Sequence, residues 1–138
     1  MPCRPILLAL ALLVPVAAQP QSTPTLHQVR KIHIAAMGAG ADATRFRTLL
    51  QDELRNLGFE ISDSPTVADA ILARPFSYEA HGNYASAHAT LQLKTPNGKR
   101  ILWSGDYISQ HKGSSQEDVI KSLAQTCAER LHKDWEKN

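Results

Sequence analysis

The first regular alternation along the chain is "VRKIHIAA", residues 29–36, with Val29, Lys31, His33 and Ala35 on one side and Arg30, Ile32, Ile34 and Ala36 on the other. A period of two over eight residues predicts a short strand. From Asp42 the period changes. Phe46, Leu49, Leu50, Leu54 and Leu57 recur three and four residues apart, while Arg45, Arg47, Asp52 and Arg55 fall mostly elsewhere. That spacing predicts an amphipathic helix of about four turns, stopped at Gly58. "FEIS" then resumes as a strand, and Asp63, Ser64 and Pro65 bring turn chemistry.

"AILARPFSYEA", residues 70–80, reads as a third strand in which Pro75 lacks the N–H a ladder needs, which suits an edge or a bulge. After a turn at His81-Gly82-Asn83, "ASAHATLQLK" gives the cleanest alternation. Ala85, Ala87, Ala89, Leu91 and Leu93 face one way, and Ser86, His88, Thr90, Gln92 and Lys94 the other. The following "TPNGK" sets the register. Asn97-Gly98 as a two-residue turn would put Leu91 against Ser104 and mix the faces. With Pro96 and Asn97 at the centre of a type I turn and Gly98 left-handed, Thr95 pairs with Lys99, Leu93 with Ile101, Leu91 with Trp103, Ala89 with Gly105 and Ala87 with Tyr107. A one-residue slip would turn every side chain over, so the second register is the expected one. Beyond Gly113, Ser114 and Glu117 form a capping box, and Val119, Ile120, Leu123, Ala124, Cys127, Leu131 and Trp135 make the apolar stripe of a last helix.

The order β-α-β-β-β-β-α predicts an α+β fold. It is a two-layer sandwich: a mixed sheet of about five strands with two helices on one face. A right-handed crossover makes the first two strands parallel neighbours, and the later ones form an antiparallel meander.

The amino terminus changes the picture of where this domain works. Arg4, the apolar run Ile6–Ala18 and the polar stretch after it follow the plan of a secretory signal peptide, with cleavage expected after Ala18. The run is shorter than the ~20 residues a membrane-spanning helix needs, so no transmembrane segment is expected in the mature chain. Residues 1–18 are thus read as the signal peptide, 19–28 as a flexible linker and 29–138 as a single domain, placed in the periplasm or secreted. Cys3 precedes the apolar run and cannot be the lipid-acceptor cysteine that would follow one. Its removal leaves Cys127 as the one remaining cysteine, which excludes an internal disulfide. Without Arg4 the chain carries 14 basic and 13 acidic residues. That balance is no footprint for nucleic acid.

Three features could carry chemistry. Gly38-Ala39-Gly40-Ala41-Asp42-Ala43 matches the spacing of a dinucleotide fingerprint. Such a fold repeats its strand-turn-helix unit, whereas one crossover helix is expected here, so no cofactor is expected; Gly38 and Gly40 remain a turn where a helix amino terminus could meet an anion or small ligand. The second feature follows from the register, which sets His88 opposite Asp106, with Thr90 and Ser104 as the next pair. A hydroxyl, an imidazole and a carboxylate on one surface suggest a hydrolase, but an open sheet face offers no oxyanion hole. No histidine pair has the helix spacing of a zinc enzyme, and no metal site is expected. The third is aromatic. Phe76, Tyr78 and Tyr84 flank Pro75 and the turn at His81, forming a candidate edge for protein contact.

"ADAIL" (Ala68–Leu72), "GKRILWSGD" (Gly98–Asp106) and a terminal helix carrying "LHKDW" together resemble small exported bacterial domains with the fold of the TolB amino-terminal domain and the CsgG-type curli-assembly proteins. The resemblance implies a cell-envelope binding or assembly role rather than catalysis. The expected partner is another envelope protein, met either at the sheet edge, with Phe76, Tyr78, His81 and Tyr84 as contact residues, or at the uncovered sheet face.

Overall fold

The computed structural model describes residues 24–113 and 115–137. The expected signal peptide, most of the expected linker and Ser114 of the expected capping box lie outside them. Six strands and two α-helices follow in the order β1 (Lys31–Ile34), α1 (Ala41–Asn56), β2 (Glu60–Ser62), β3 (Ala70–Ala73), β4 (Phe76–His81), β5 (Tyr84–Lys94), β6 (Ile101–Lys112) and α2 (Gln116–Lys137). Both helices pack on one face of a single mixed sheet, so the two-layer α+β expectation holds. The folded part begins earlier than Val29. Leu26–Gln28 form a 3₁₀ turn whose Leu26 is buried, and Thr25 N–H donates to Gln28 Oε1 at 2.9 Å.

The extra strand comes from the Arg74-Pro75 break. Ala73 stands opposite Gln92 and Phe76 opposite Ala89, so two residues lie between these rungs on either strand and none is inserted. Hence β3 and β4 are one interrupted lane along the same side of β5, so of the two readings of Pro75, an edge or a bulge, the bulge does not occur. Arg74 adopts φ +119°, and Thr90 N–H donates to Pro75 O across the gap at 3.3 Å.

The meander also needs correcting. β1 pairs in parallel with β2 on one side and with β3 on the other, so the antiparallel part starts only at β5. The short return from β2 to β3 is secured by Asp69. Its carboxylate accepts the backbone N–H groups of Arg30 and Lys31, both at 2.9 Å, and its own N–H donates to Lys31 O at 2.8 Å.

Pro96 and Asn97 do centre a turn, with Gly98 N–H donating to Thr95 O at 2.8 Å and Gly98 at φ +73°. The closing pair is Thr95 with Arg100, however, not Lys99. Leu102 is then extra between the rungs Leu93–Trp103 and Lys94–Ile101, and the rest of the hairpin runs two residues out of the expected register. Leu91 faces Gly105 and Ala89 faces Tyr107. An even shift preserves the faces of the ladder but not its partners. Ile101, which the expected register pairs with Leu93 and so sets on its face, is instead 52 % exposed because the irregularity turns it outward.

The core joins alternate residues of the sheet (Ile32, Ile34, Leu72, Phe76, Leu91, Leu93, Trp103) to the helix stripes. Phe46 of α1 stacks on Phe76 with centroids 4.6 Å apart, a contact worth about 0.5–1.5 kcal/mol beyond area burial. The α1 stop is a Schellman turn: Gly58 N–H reaches Arg55 O and Phe59 N–H reaches Leu54 O. At the start of α2, Ser115 Oγ accepts from Asp118 N–H at 3.2 Å. Arg45 of α1 forks onto Glu117 of α2, joining the amino-terminal halves of the two helices.

Candidate functional site

Because both helices take one face, no described helix covers the other. Period-two geometry projects His88, Thr90 and Gln92 of β5 onto it, beside Ser104, Asp106 and Ile108 of β6. The corrected register changes which of these meet. Thr90 is directly opposite Asp106, His88 is opposite Ile108, and Ser104 is opposite Gln92.

Asp106 still collects both neighbours. His88 Nε2 bonds Asp106 Oδ1 along a diagonal, and Thr90 Oγ1 donates to the same oxygen at 3.1 Å. The hydrogen bond from His88, then that from Thr90, hold the Asp106 carboxyl below its ordinary value. Ser104 does not join them. His88 and the rung of Ser104 lie four residues apart along β5, roughly 13 Å at the rise of a strand. The nucleophile of the suggested triad is therefore out of reach of its base. A shallow depression of about 290 Å³ lined by Thr90, Gln92, Ser104 and Asp106 marks this part of the face.

The aromatic edge divides. Phe76 and Tyr78 stand opposite Ala89 and Ala87, on the core face; Phe76 is buried, Tyr78 half-buried. Tyr84 projects to the open face, 42 % exposed, and its hydroxyl donates to Gln110. His81 lies opposite Tyr84 and pairs with Glu79 at 3.6 Å. The four residues expected to form one contact surface thus occupy two faces. What the edge does offer is backbone. Phe76 N–H donates away from β5, to Met37 O at 3.0 Å, so strand alternation aims the N–H groups of Tyr78 and Ala80 at the free side. β6 likewise pairs with β5 alone among the described strands.

At the opening turn, Gly38 (φ +140°) and Gly40 (φ +107°) hold conformations that L side chains resist, which accounts for both glycines without a ligand. Asp42 in the first turn of α1 accepts a hydrogen bond from Gln116, so the helix end already carries a negative charge. Ile108, 58 % exposed on the open face, was not singled out from the sequence. An apolar residue in the outward series Ser104, Asp106, Ile108, Gln110 was the available signal.

Among the described residues no group of His, Cys, Asp and Glu side chains is placed to hold a metal ion, and no helix is long and apolar enough to cross a membrane. No family model matches the chain, and no curated protein matches it. Solved structures do. A PelC variant dodecamer from Paraburkholderia phytofirmans is similar at TM-score 0.62 and 16% identity, over 78% of this chain and 93% of that one. A minor lipoprotein from Acinetobacter baumannii matches at TM-score 0.58 and 15% identity, over 77% and 94%. Lipoprotein GNA1162 from Neisseria meningitidis matches at TM-score 0.50 and 10% identity, over 75% and 99%. At these identities the likeness is one of fold: this chain has the small α+β fold of these bacterial proteins, and nothing in the match singles out TolB or the CsgG type.

Proposed function

We propose that the chain is an exported, non-catalytic binding or assembly module of the bacterial cell envelope, working through the open sheet face and its free strand edges. The observation that carries this reading is the one-sided packing. Both helices cover one face, and the other presents Ile108, Tyr84 and the polar cluster around Asp106 between two edges with backbone groups to spare. Strand addition uses such edges, with side chains of the adjoining face supplying selectivity. The signal-like run at residues 6–18 and the lipoproteins among the structures of similar fold support the envelope setting. The PelC dodecamer supports assembly, including assembly with copies of itself.

The test is capture of envelope proteins by the full chain, with its own mass in solution measured alongside. Ile108→Glu alters the open face, and Ala80→Pro removes an N–H aimed away from the sheet; both should leave the fold intact. Loss of partners or of self-association in either variant supports the reading. Full retention in both, or a hydrolytic activity abolished by His88→Ala in a folded chain, overturns it.

A further inference from the structure

A second surface, made by helix ends rather than by the open sheet face, encloses a cavity walled by aromatic rings and an arginine. A cavity of about 260 Å³ lies between the carboxy-terminal ends of α1 and α2, lined by Arg30, Leu57, Gly58, Phe59, His132 and Trp135. Three of its walls are rings set against one another. His132 stacks on Trp135 at 5.7 Å and 16°, and Phe59 meets Trp135 edge-on at 5.6 Å and 75°.

These walls are fixed in advance. Trp135 Nε1 donates to Val29 O at 2.9 Å, and the helix stop at Gly58 positions Phe59 through its N–H to Leu54 O at 3.1 Å. Arg30 lies over Trp135 with Cζ 4.6 Å from the ring centroid, and its Nη1 donates to the backbone carbonyl of His27 at 2.9 Å. Among the described residues no carboxylate forms an ion pair with this guanidinium; Asp69 Oδ2 accepts the backbone N–H groups of Arg30 and Lys31. On α2, Glu136 faces His132 at 3.6 Å, and Asp134 accepts from Trp103 Nε1 at 2.9 Å.

We infer that this corner binds a small amphiphilic monocarboxylate, a flat aryl or short acyl acid whose body lies among the rings and whose carboxylate meets Arg30. A cationic ligand is opposed by the arginine already seated on the indole. The volume lies just below the ~300–1,000 Å³ typical of drug-sized pockets, which fits a single ring system better than a nucleotide. A planar carboxylate suits the two-pronged donor edge of a guanidinium.

The experiment follows the indole N–H signals of Trp135 and Trp103 in the isotope-labelled full chain while 2-naphthoate is added. Naphthalene-2-carboxamide serves as the uncharged analogue and inorganic phosphate as an anion without an apolar body. The expected result is a saturable shift of Trp135 with Trp103 unmoved, at least tenfold weaker binding of the amide, and no shift with phosphate. Arg30→Gln should weaken 2-naphthoate at least tenfold, and Arg30→Lys should keep it within a few-fold. Arg30 is exposed, so neither change threatens the fold. An unmoved Trp135, equal affinity for acid and amide, or full binding by Arg30→Gln overturns the inference. None of these outcomes touches the open-face reading, whose variants lie on β4 and β6.

Discussion

The Tyr107 ring lies over Gly105: a Cβ added at Gly105 would clash with Tyr107 Cε2 and Cζ. The ring continues to Trp103, whose centroid is 6.3 Å away, and Trp103 Nε1 donates to Asp134 Oδ2 of α2 at 2.9 Å. The missing side chain at Gly105 thus lets two aromatics of one strand lie along the same face. Gly105→Ala should push Tyr107 off this position and cost about 1–3 kcal/mol, as overpacking does. Urea unfolding measures the loss, and near-ultraviolet circular dichroism reports the ring. In a Tyr107→Leu background the same change should cost less, because the clashing ring is gone.

The same hairpin shows what the sequence could and could not reveal. The turn at Pro96-Asn97-Gly98 was legible because its geometry is local, set by a proline, an asparagine and a left-handed glycine. The register was not, because Leu102 leaves the ladder several residues away and nothing in "RILW" marks it. The helices were read correctly, since Phe46 to Leu54 and Val119 to Leu131 each bury a long periodic stripe. The parallel placement of β3 was hidden because its connection to β2 has no crossover α-helix, only a 3₁₀ turn at Pro65–Val67, and Asp69 ties its end to β1. Of the candidate site, the His88–Asp106 contact survived the shift as a diagonal. The pairing with Ser104 did not, having no reach to spare.

Arg74 holds φ +119°, where L residues are strained at about 1–3 kcal/mol, and Pro75 further restricts it. Its side chain recovers part of this through Nε to Gln92 Oε1 at 3.0 Å. Arg74→Gly relieves the strain while losing that bond and gaining about 0.5–1 kcal/mol of unfolded-chain entropy, so its stability should stay near that of the parent. Arg74→Val keeps the strain, adds a β-branch and loses the bond as well. Chemical denaturation should rank glycine above valine by at least ~1 kcal/mol; the reverse order would remove the strain argument.

Two exposed carboxylates tie stability to acid pH. The hydrogen bond from Arg45 holds Glu117 below its ordinary 4.5, and those from His88 and Thr90 hold Asp106 below its ordinary 3.8. A carboxyl depressed in the folded state binds its proton more readily when unfolded. Its contribution is complete above the unfolded value and lost as pH falls through the lowered folded value. The urea midpoint should therefore fall between about pH 5 and 2. Glu117→Gln and Asp106→Asn should each flatten that fall, and added salt should shrink the difference, as expected of pairs in water.

Cys127 tests the packing of α2 against the sheet. Its thiol is buried, and burial pushes its pKa up to about 12, so at neutral pH the nucleophilic thiolate is nearly absent as well as shielded. In a Cys3→Ser chain, which leaves one thiol, a water-soluble disulfide reagent at about pH 8 should react only as fast as the protein opens, and stoichiometrically once urea unfolds it. Gly105→Ala, by loosening the Trp103 and Tyr107 contacts near α2, should speed the native reaction in proportion to the stability it loses. Labelling of the folded parent at the rate of a free thiol would mean that the stripe from Val119 to Leu131 is not held against the sheet, and the one-sided packing that leaves the other face open would fall with it.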